Sequence, residues 1–203
     1  MTTHRDVAVF VGSLRRASYN RMMAKALVEL APRELRLEIV EIRDLSLYDQ
    51  DLEDEPPAPW RALKDRIHRA EGVLFVTPEY NRSVPAVLKN AIDIASRPYR
   101  QSAWTGKPAG VVSVSMSALG GFGANHHLRQ SLVYLNMPAM QQPEAYVGNA
   151  QMLFDDDGKL VNADTRAFMS DFLRAFAAWV EVHAKPRERS RAHPKDAAAP
   201  ASR

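Results

Sequence analysis

Two short stretches hold the side chains that could do chemistry. The first is Gly12-Ser13-Leu14-Arg15-Arg16-Ala17-Ser18-Tyr19-Asn20, and the second is Thr77-Pro78-Glu79-Tyr80-Asn81-Arg82-Ser83-Val84-Pro85. In the first, Ser13, Ser18 and Asn20 supply polar partners and Arg15 a cation, at the start of an apolar-periodic helix. The first amides of a helix have no partner within it, and its dipole favours an anion there. A phosphate monoester suits this set, because its three acceptor oxygens can be met by hydroxyls, amides and one guanidinium. No Gly-Lys-Ser/Thr follows, so the loop is not a Walker A, and without Gly-x-Gly-x-x-Gly a dinucleotide pyrophosphate is not indicated. Taken alone, the stretch also reads as a helix cap with surface arginines.

In the second stretch, Pro78 keeps Thr77 extended and removes one backbone donor. Glu79, Tyr80 and Asn81 then present backbone N–H groups with no helix to consume them. Ser83 can cap the helix that follows, and Pro85 is tolerated in its first turn. Val84, Val87, Leu88, Ala91, Ile92 and Ala95 form one apolar face of that helix at i, i+3, i+4 spacing. Any βα loop could carry such residues. The placement of the two stretches distinguishes them, and it depends on the elements around them.

Val7 to Val11 reads as a short apolar strand feeding the first loop. A helix over about 18–31 follows, with Met22, Met23, Ala26, Leu27 and Leu30 on one face. The second strand spans about 35–42; its first half alternates, with Leu35, Leu37 and Ile39 against Arg36 and Glu38, as at a sheet edge. Residues 44–59 form a long acidic and then proline-rich loop of the kind that is often functional. A helix over about 59–70 precedes the third strand, Gly72 to Val76, which feeds the second loop. A turn at Trp104-Thr105-Gly106-Lys107-Pro108 leads to a fourth strand over 110–115. Ser117 to Gly121 is a flexible loop into a helix over about 124–135. A short fifth strand lies near Ala145 to Val147, and Asp155 to Gly158 is a turn in a small hairpin. The last helix spans about 164–183, with Phe168, Phe172, Phe176, Trp179 and Val180 toward the core. No internal repeat is present.

Strands alternating with helices in this way predict an α/β, doubly wound parallel sheet with helices on both faces. Strands one, three and four read as buried on both faces, and two and five as edges. That fits the flavodoxin-like five-strand order 2-1-3-4-5, whose switch point lies between strands one and three. The two chemically loaded loops leave those two strands. Their convergence at the switch point predicts a ligand site that neither motif predicts alone.

Composition excludes several functions. The chain has 203 residues, 46% hydrophobic and 25% charged, as expected for one soluble domain. It has no Cys, which removes disulfides, thiolate metal sites, iron–sulfur ligation and dithiol chemistry. The N-terminus lacks a signal-peptide core and no run approaches a membrane span, so the expectation is a cytoplasmic protein with no membrane partner. The net charge of +3 is carried entirely by residues 186–203, through Arg187, Arg189, Arg191, Lys195 and Arg203 against Glu188 and Asp196. The rest is neutral, which argues against nucleic acid. The expected organisation is a folded domain over 1–185 and a disordered basic tail over 186–203. No metal site is expected: His126 and His127 are adjacent, so they diverge on a helix, and Leu153 occupies the first ligand place of a calcium-like loop.

The loop Gly12-Ser13-Leu14-Arg15 with Ser18 and Asn20 resembles the phosphate loop of the NADPH-dependent FMN reductase family. Thr77-Pro78-Glu79-Tyr80-Asn81-x-Ser83-x-Pro85, followed by Leu88-Lys89-Asn90-Ala91-Ile92-Asp93, is similar to that family's flavin loop and helix. The resemblance runs from about Val7 to at least Tyr146 and is strongest toward quinone- and chromate-reducing members. It implies FMN bound by Ser13, Leu14, Arg15, Ser18 and Asn20, with the phosphate on Ser13, Arg15, Ser18 and Asn20. It implies that Pro78, Glu79, Tyr80 and Asn81 meet the polar edge of the flavin ring, mostly through backbone amides, while Ser115, Gly120 and Gly121 flank the other side. It implies NADPH or NADH as electron donor, a small-molecule acceptor (a quinone, azo or nitro compound, metal oxyanion or free flavin) and a homodimer or homotetramer. Relatives often carry an Arg two residues after the second glycine and an aromatic before His-Leu-Arg; here Gly123 and His126 stand in those places, so contacts built on those side chains do not carry over.

On this reading the cofactor does the chemistry and no side chain is catalytic. Tyr80 is the tempting acid, but hydride transfer is a positioning task that needs no side-chain acid. A flavodoxin-like electron carrier is the alternative; such carriers are usually strongly acidic, and the neutral folded region argues against it. A phospho-receiver domain would need carboxylates where Ser13 and Thr77 stand.

Overall fold

A computed structural model describes residues 4–184. The chain runs β1 (Arg5–Val11), α1 (Tyr19–Leu30), β2 (Leu35–Val40), α2 (Ala58–Arg69), β3 (Gly72–Thr77), α3 (Ala86–Ser96), β4 (Ala109–Val114), α4 (Phe122–Tyr134), β5 (Ala145–Val147) and α5 (Ala163–His183). The five strands form one parallel sheet in the order β2-β1-β3-β4-β5. The predicted order therefore holds, and loops 12–18 and 78–85 leave neighbouring strands.

The burial pattern follows the sequence pattern. β3 and β4 are buried at every position, and β1 from Val7 onward, while β2 alternates over Leu35 to Glu38. Residues i and i+2 of a strand share a face. Val7, Val9, Val11, Leu74 and Val76 accordingly pack with Met23, Leu27, Phe172, Phe176 and Val180 of α1 and α5. Ala8, Phe10, Val73 and Phe75 pack on the opposite side with Trp60, Ile67, Leu88, Ile94 and Leu128 of α2, α3 and α4. Trp104, predicted only as a turn residue, is fully buried there, edge-on to Phe10.

Several expectations shift. Phe168 sits on the exposed side of α5, whereas Met169 takes the buried place beside it. β2 ends at Val40, and α3 begins at Ala86 with Pro85 as its cap residue and no side-chain cap. Ser83 therefore does not cap α3; it shares a 2.8 Å hydrogen bond with His127 Nδ1 on α4. Pro85 explains this: its ring sets a backbone suited to helix entry and needs no donor satisfied. The Asp155 to Gly158 turn is closed by the Phe154–Leu160 bridge, as expected. Among the described residues no helix is long and apolar enough to cross a membrane, and no group of three or more metal-ligating side chains occurs. The predicted basic tail lies outside the described residues.

Candidate active site

An open cleft of about 480 Å³ lies at the carboxyl ends of β1, β3 and β4. Ser13, Arg15, Ser18 and Asn20 line one wall; Pro78, Glu79 and Tyr80 line another; Ser115 closes it with Met116 and Ser117. Eight of the residues expected from sequence are thus brought together.

The phosphate-loop wall is built by α1. Ser18 is its cap residue, and its Oγ accepts from the Arg21 amide at 3.3 Å. No acidic residue stands in the first turn of α1, so no carboxylate of that turn opposes an anion at its positive end. Ser13, Ser18 and Asn20 are buried although polar, which costs free energy unless they are hydrogen-bonded. Asn20 Nδ2 donates to the Val114 carbonyl at 3.1 Å, tying the loop to the end of β4. Asn20 Oδ1 is buried with no partner among the described residues. Gly12 is needed for closeness: a Cβ there would lie 3.1 Å from Thr77 Oγ1 and 3.2 Å from Pro78 Cδ. Arg15 is exposed and lies over the Tyr19 ring, 5.4 Å from its centre.

The opposite wall is a tight turn. Tyr80 and Ser83 exchange both backbone hydrogen bonds, at 3.1 and 3.0 Å, around Asn81 and Arg82 in the left-handed region (φ 50° and 65°). Two successive positive-φ residues make a hairpin turn of the primed kind. The Tyr80 amide, expected to be free, is therefore consumed. Pro78 has none, so within 78–81 the amides of Glu79 and Asn81 are those with no acceptor among the described residues. Tyr80 is half exposed (49%), with its hydroxyl 3.5 Å from Ser13 Oγ.

The Glu79 side chain has a role the sequence did not reveal. Its Oε2 accepts from the Ala124 amide at 3.0 Å and so caps α4 across the sheet, while Oε1 faces Arg82 at 3.3 Å. Gly123 makes room for that cap, because a Cβ there would stand 3.0 Å from Glu79 Oε2. Gly121 is the cap residue of α4, at φ 75°. Gly120, at φ 59°, lies against the backbone of β5. Gly120, Gly121, Leu14 and Asn81 stand outside the cleft lining. His126, in the other departure, lies tilted against Phe122, with ring centres 4.3 Å apart, and hydrogen-bonds the Tyr146 hydroxyl at 2.8 Å. Burial first, then Glu144, pushes Tyr146 up to about 12, so it stays a neutral phenol. Tyr19, Met116 and Ser117 also line the cleft; their types carry no signal of it in the sequence.

A buried polar cradle at a helix N-terminus facing a strand-end turn suits an anionic ligand, and comparison with known proteins decides the family. Residues 5–152 match the model of NADPH-dependent FMN reductase. The chain belongs to that family. It is 63% identical, over 88% of its length and 96% of the relative's, to a quinone reductase of Pseudomonas putida. It is 47% identical to a 2-hydroxy-1,4-benzoquinone reductase of a Burkholderia species, over 86% of this chain and 95% of that one. Among solved structures, FerB, a flavoenzyme NAD(P)H:(acceptor) oxidoreductase of Paracoccus denitrificans, superposes with a TM-score of 0.84 at 40% identity, covering 89% of this chain and all of that one. The protein is accordingly an oxidoreductase that uses FMN and NAD(P)H.

Proposed function

We propose that this member of the family reduces small quinones at the expense of NAD(P)H, with FMN held in the cleft between loops 12–18 and 78–81. The observation that carries the site is the set of buried polar groups on α1, Ser13, Ser18 and Asn20, opening onto the loop that leaves β3. Ser13, Ser18, Arg15 and the first amides of α1 offer donors to a phosphate. Beside the expected phosphate set, Asn20 offers a second kind of contact. Its free atom is an acceptor, so it suits a hydroxyl of the ligand's sugar chain better than a phosphate oxygen. The Glu79 and Asn81 amides suit carbonyl oxygens on the ring edge, and Glu79 anchors their loop to α4. When bound, FMN accepts a hydride from NAD(P)H and passes the electrons to the acceptor. Orienting the nicotinamide over the ring is a positioning task that needs no side-chain acid.

The quinone comes from the relatives' names, at 63% and 47% identity. Exposed Tyr99 and, on α4, Val133 and Tyr134 favour a self-associating chain, a homodimer or homotetramer. Absence of Cys suits the reducing cytoplasm. The test is steady-state oxidation of NADPH and NADH by benzoquinone with no second protein present. Turnover that requires FMN supports the reading; oxidation only when a partner reductase is added would make the protein a carrier instead.

A further inference from the structure

A second cleft, of about 520 Å³, adjoins the first and shares Ser13 and Arg15 with it. One wall is loop 13–16 and the other is the segment that leaves β2, residues 40–43. Arg15, Arg16, Arg21 and Arg43 line it against a single carboxylate, Glu41. That carboxylate is already engaged. Arg21 grips both its oxygens, with Nη1 3.1 Å from Oε2, and Arg43 adds to the field on it. The Arg21 hydrogen bonds first, and then the charges of Arg21 and Arg43, hold Glu41 below the usual carboxylate range. Arg43 gives one donor to the Leu14 carbonyl at 2.6 Å. Arg15 and Arg16 form no ion pair with any described residue. Four guanidinium groups around one space repel one another, and an anion relieves that repulsion.

One phosphate at the N-terminus of α1 would use Ser13, Ser18 and Arg15. It would leave Arg16 and Arg43 facing the adjoining cleft. A second anionic group placed there belongs to a ligand that extends from the flavin site along the sheet end. The nicotinamide donor is such a ligand, because its reactive ring must reach the flavin. NADPH and NADH share a pyrophosphate and differ by the ribose 2′-phosphate of NADPH, which guanidinium forks match in charge and geometry. In the dinucleotide-binding Rossmann fold a carboxylate takes the ribose 2′-hydroxyl of NAD and a nearby arginine accommodates the 2′-phosphate of NADP; this sheet lacks that fold's glycine fingerprint, and only the charge logic carries over. Here the carboxylate just past β2 is occupied by Arg21, and an arginine follows two residues later.

We propose that the Arg16/Arg43 cleft receives the 2′-phosphate of NADPH and makes the enzyme select NADPH over NADH. The proposal rests on the FMN reductase reading of the neighbouring site. The test uses FMN-saturated protein and a fixed quinone, comparing kcat/KM for the two nucleotides in the wild type and in Arg16→Ala/Arg43→Gln, where Gln keeps a donor for the Leu14 carbonyl. The wild type should favour NADPH at least ten-fold. The double variant should lose ten- to a hundred-fold with NADPH and change less than two-fold with NADH, with its FMN dissociation constant unaltered. Equal losses with both nucleotides would mean the cleft holds the pyrophosphate, or that the loop is damaged, and would overturn the proposal. So would a weakened FMN complex, which would give the cleft to the flavin phosphate, or no loss at all. Wild-type protein that binds FMN and oxidises both nucleotides equally well overturns the selectivity alone. Protein that binds no FMN overturns the reading beneath it as well.

Discussion

Arg15 stands over Tyr19 at the mouth of the cradle, free to close on a phosphate. A hydrogen bond to a charged group contributes about 1.5–3 kcal/mol, so Arg15→Ala should weaken FMN binding roughly ten- to a hundred-fold. Fluorescence titration with FMN measures it, and an unchanged dissociation constant would put the phosphate elsewhere. Tyr80 tests the opposite kind of claim. Its hydroxyl is only at the edge of hydrogen-bond reach of Ser13, and the phenol is half exposed. Tyr80→Phe should keep the rate of FMN reduction by NADPH within about ten-fold, or 1.4 kcal/mol. Anaerobic stopped-flow at saturating NADPH, with FMN occupancy checked first, reads this rate. A thousand-fold loss with FMN still bound would show that the hydroxyl takes part. Most of the cradle was legible because serines and an asparagine before an apolar helix have a local meaning. The Glu79 cap on α4 was not, because its partner is 45 residues away and only the fold brings them together.

At the scale of elements, close approaches decide which residues are allowed. A Cβ at Gly120 would lie 2.6 Å from the Tyr146 carbonyl carbon, and that neighbour is strand backbone that cannot swing aside. Gly106 has a similar left-handed backbone, but a Cβ there would meet nothing within 4 Å. Both Gly→Ala changes cost backbone strain; only Gly120→Ala adds overpacking, of about 1–3 kcal/mol. Calorimetry should therefore find the melting temperature of Gly120→Ala clearly below that of Gly106→Ala. Equal values would mean β5 yields to the side chain. Strand existence and order were readable from apolar runs and from the alternation in β2. Helix starts were less so: Ser83 has the right chemistry to cap α3, but Pro85 enters the helix without it and Ser83 turns to His127 instead. Phe168 has an apolar side chain at a helical spacing one step off the buried stripe, where Met169 lies.

For the whole molecule, Arg5 joins the start of β1 to Glu71, before β3, and to Glu181 on α5, at 2.7 and 2.8 Å. Its side chain is 12% exposed, whereas Glu181 is 67% exposed, so the Glu181 pair is screened and the Glu71 pair matters more. Arg5→Ala should lower stability by about 1–2 kcal/mol, read from the urea midpoint. No change would mean the two pairs add nothing beyond solvation. Residues 186–203 have no apolar side chain larger than proline. Their removal should leave melting temperature and flavin content unaltered, because there is little apolar surface to bury. A large drop in either would mean that this segment docks. The most direct test of the account is one anaerobic cuvette in which apoprotein is titrated with FMN and NADPH is then added. The account predicts saturable uptake at one FMN per chain, followed by bleaching of the flavin band. A protein that takes up no FMN, or whose bound FMN is not bleached by NADPH or NADH, would contradict it.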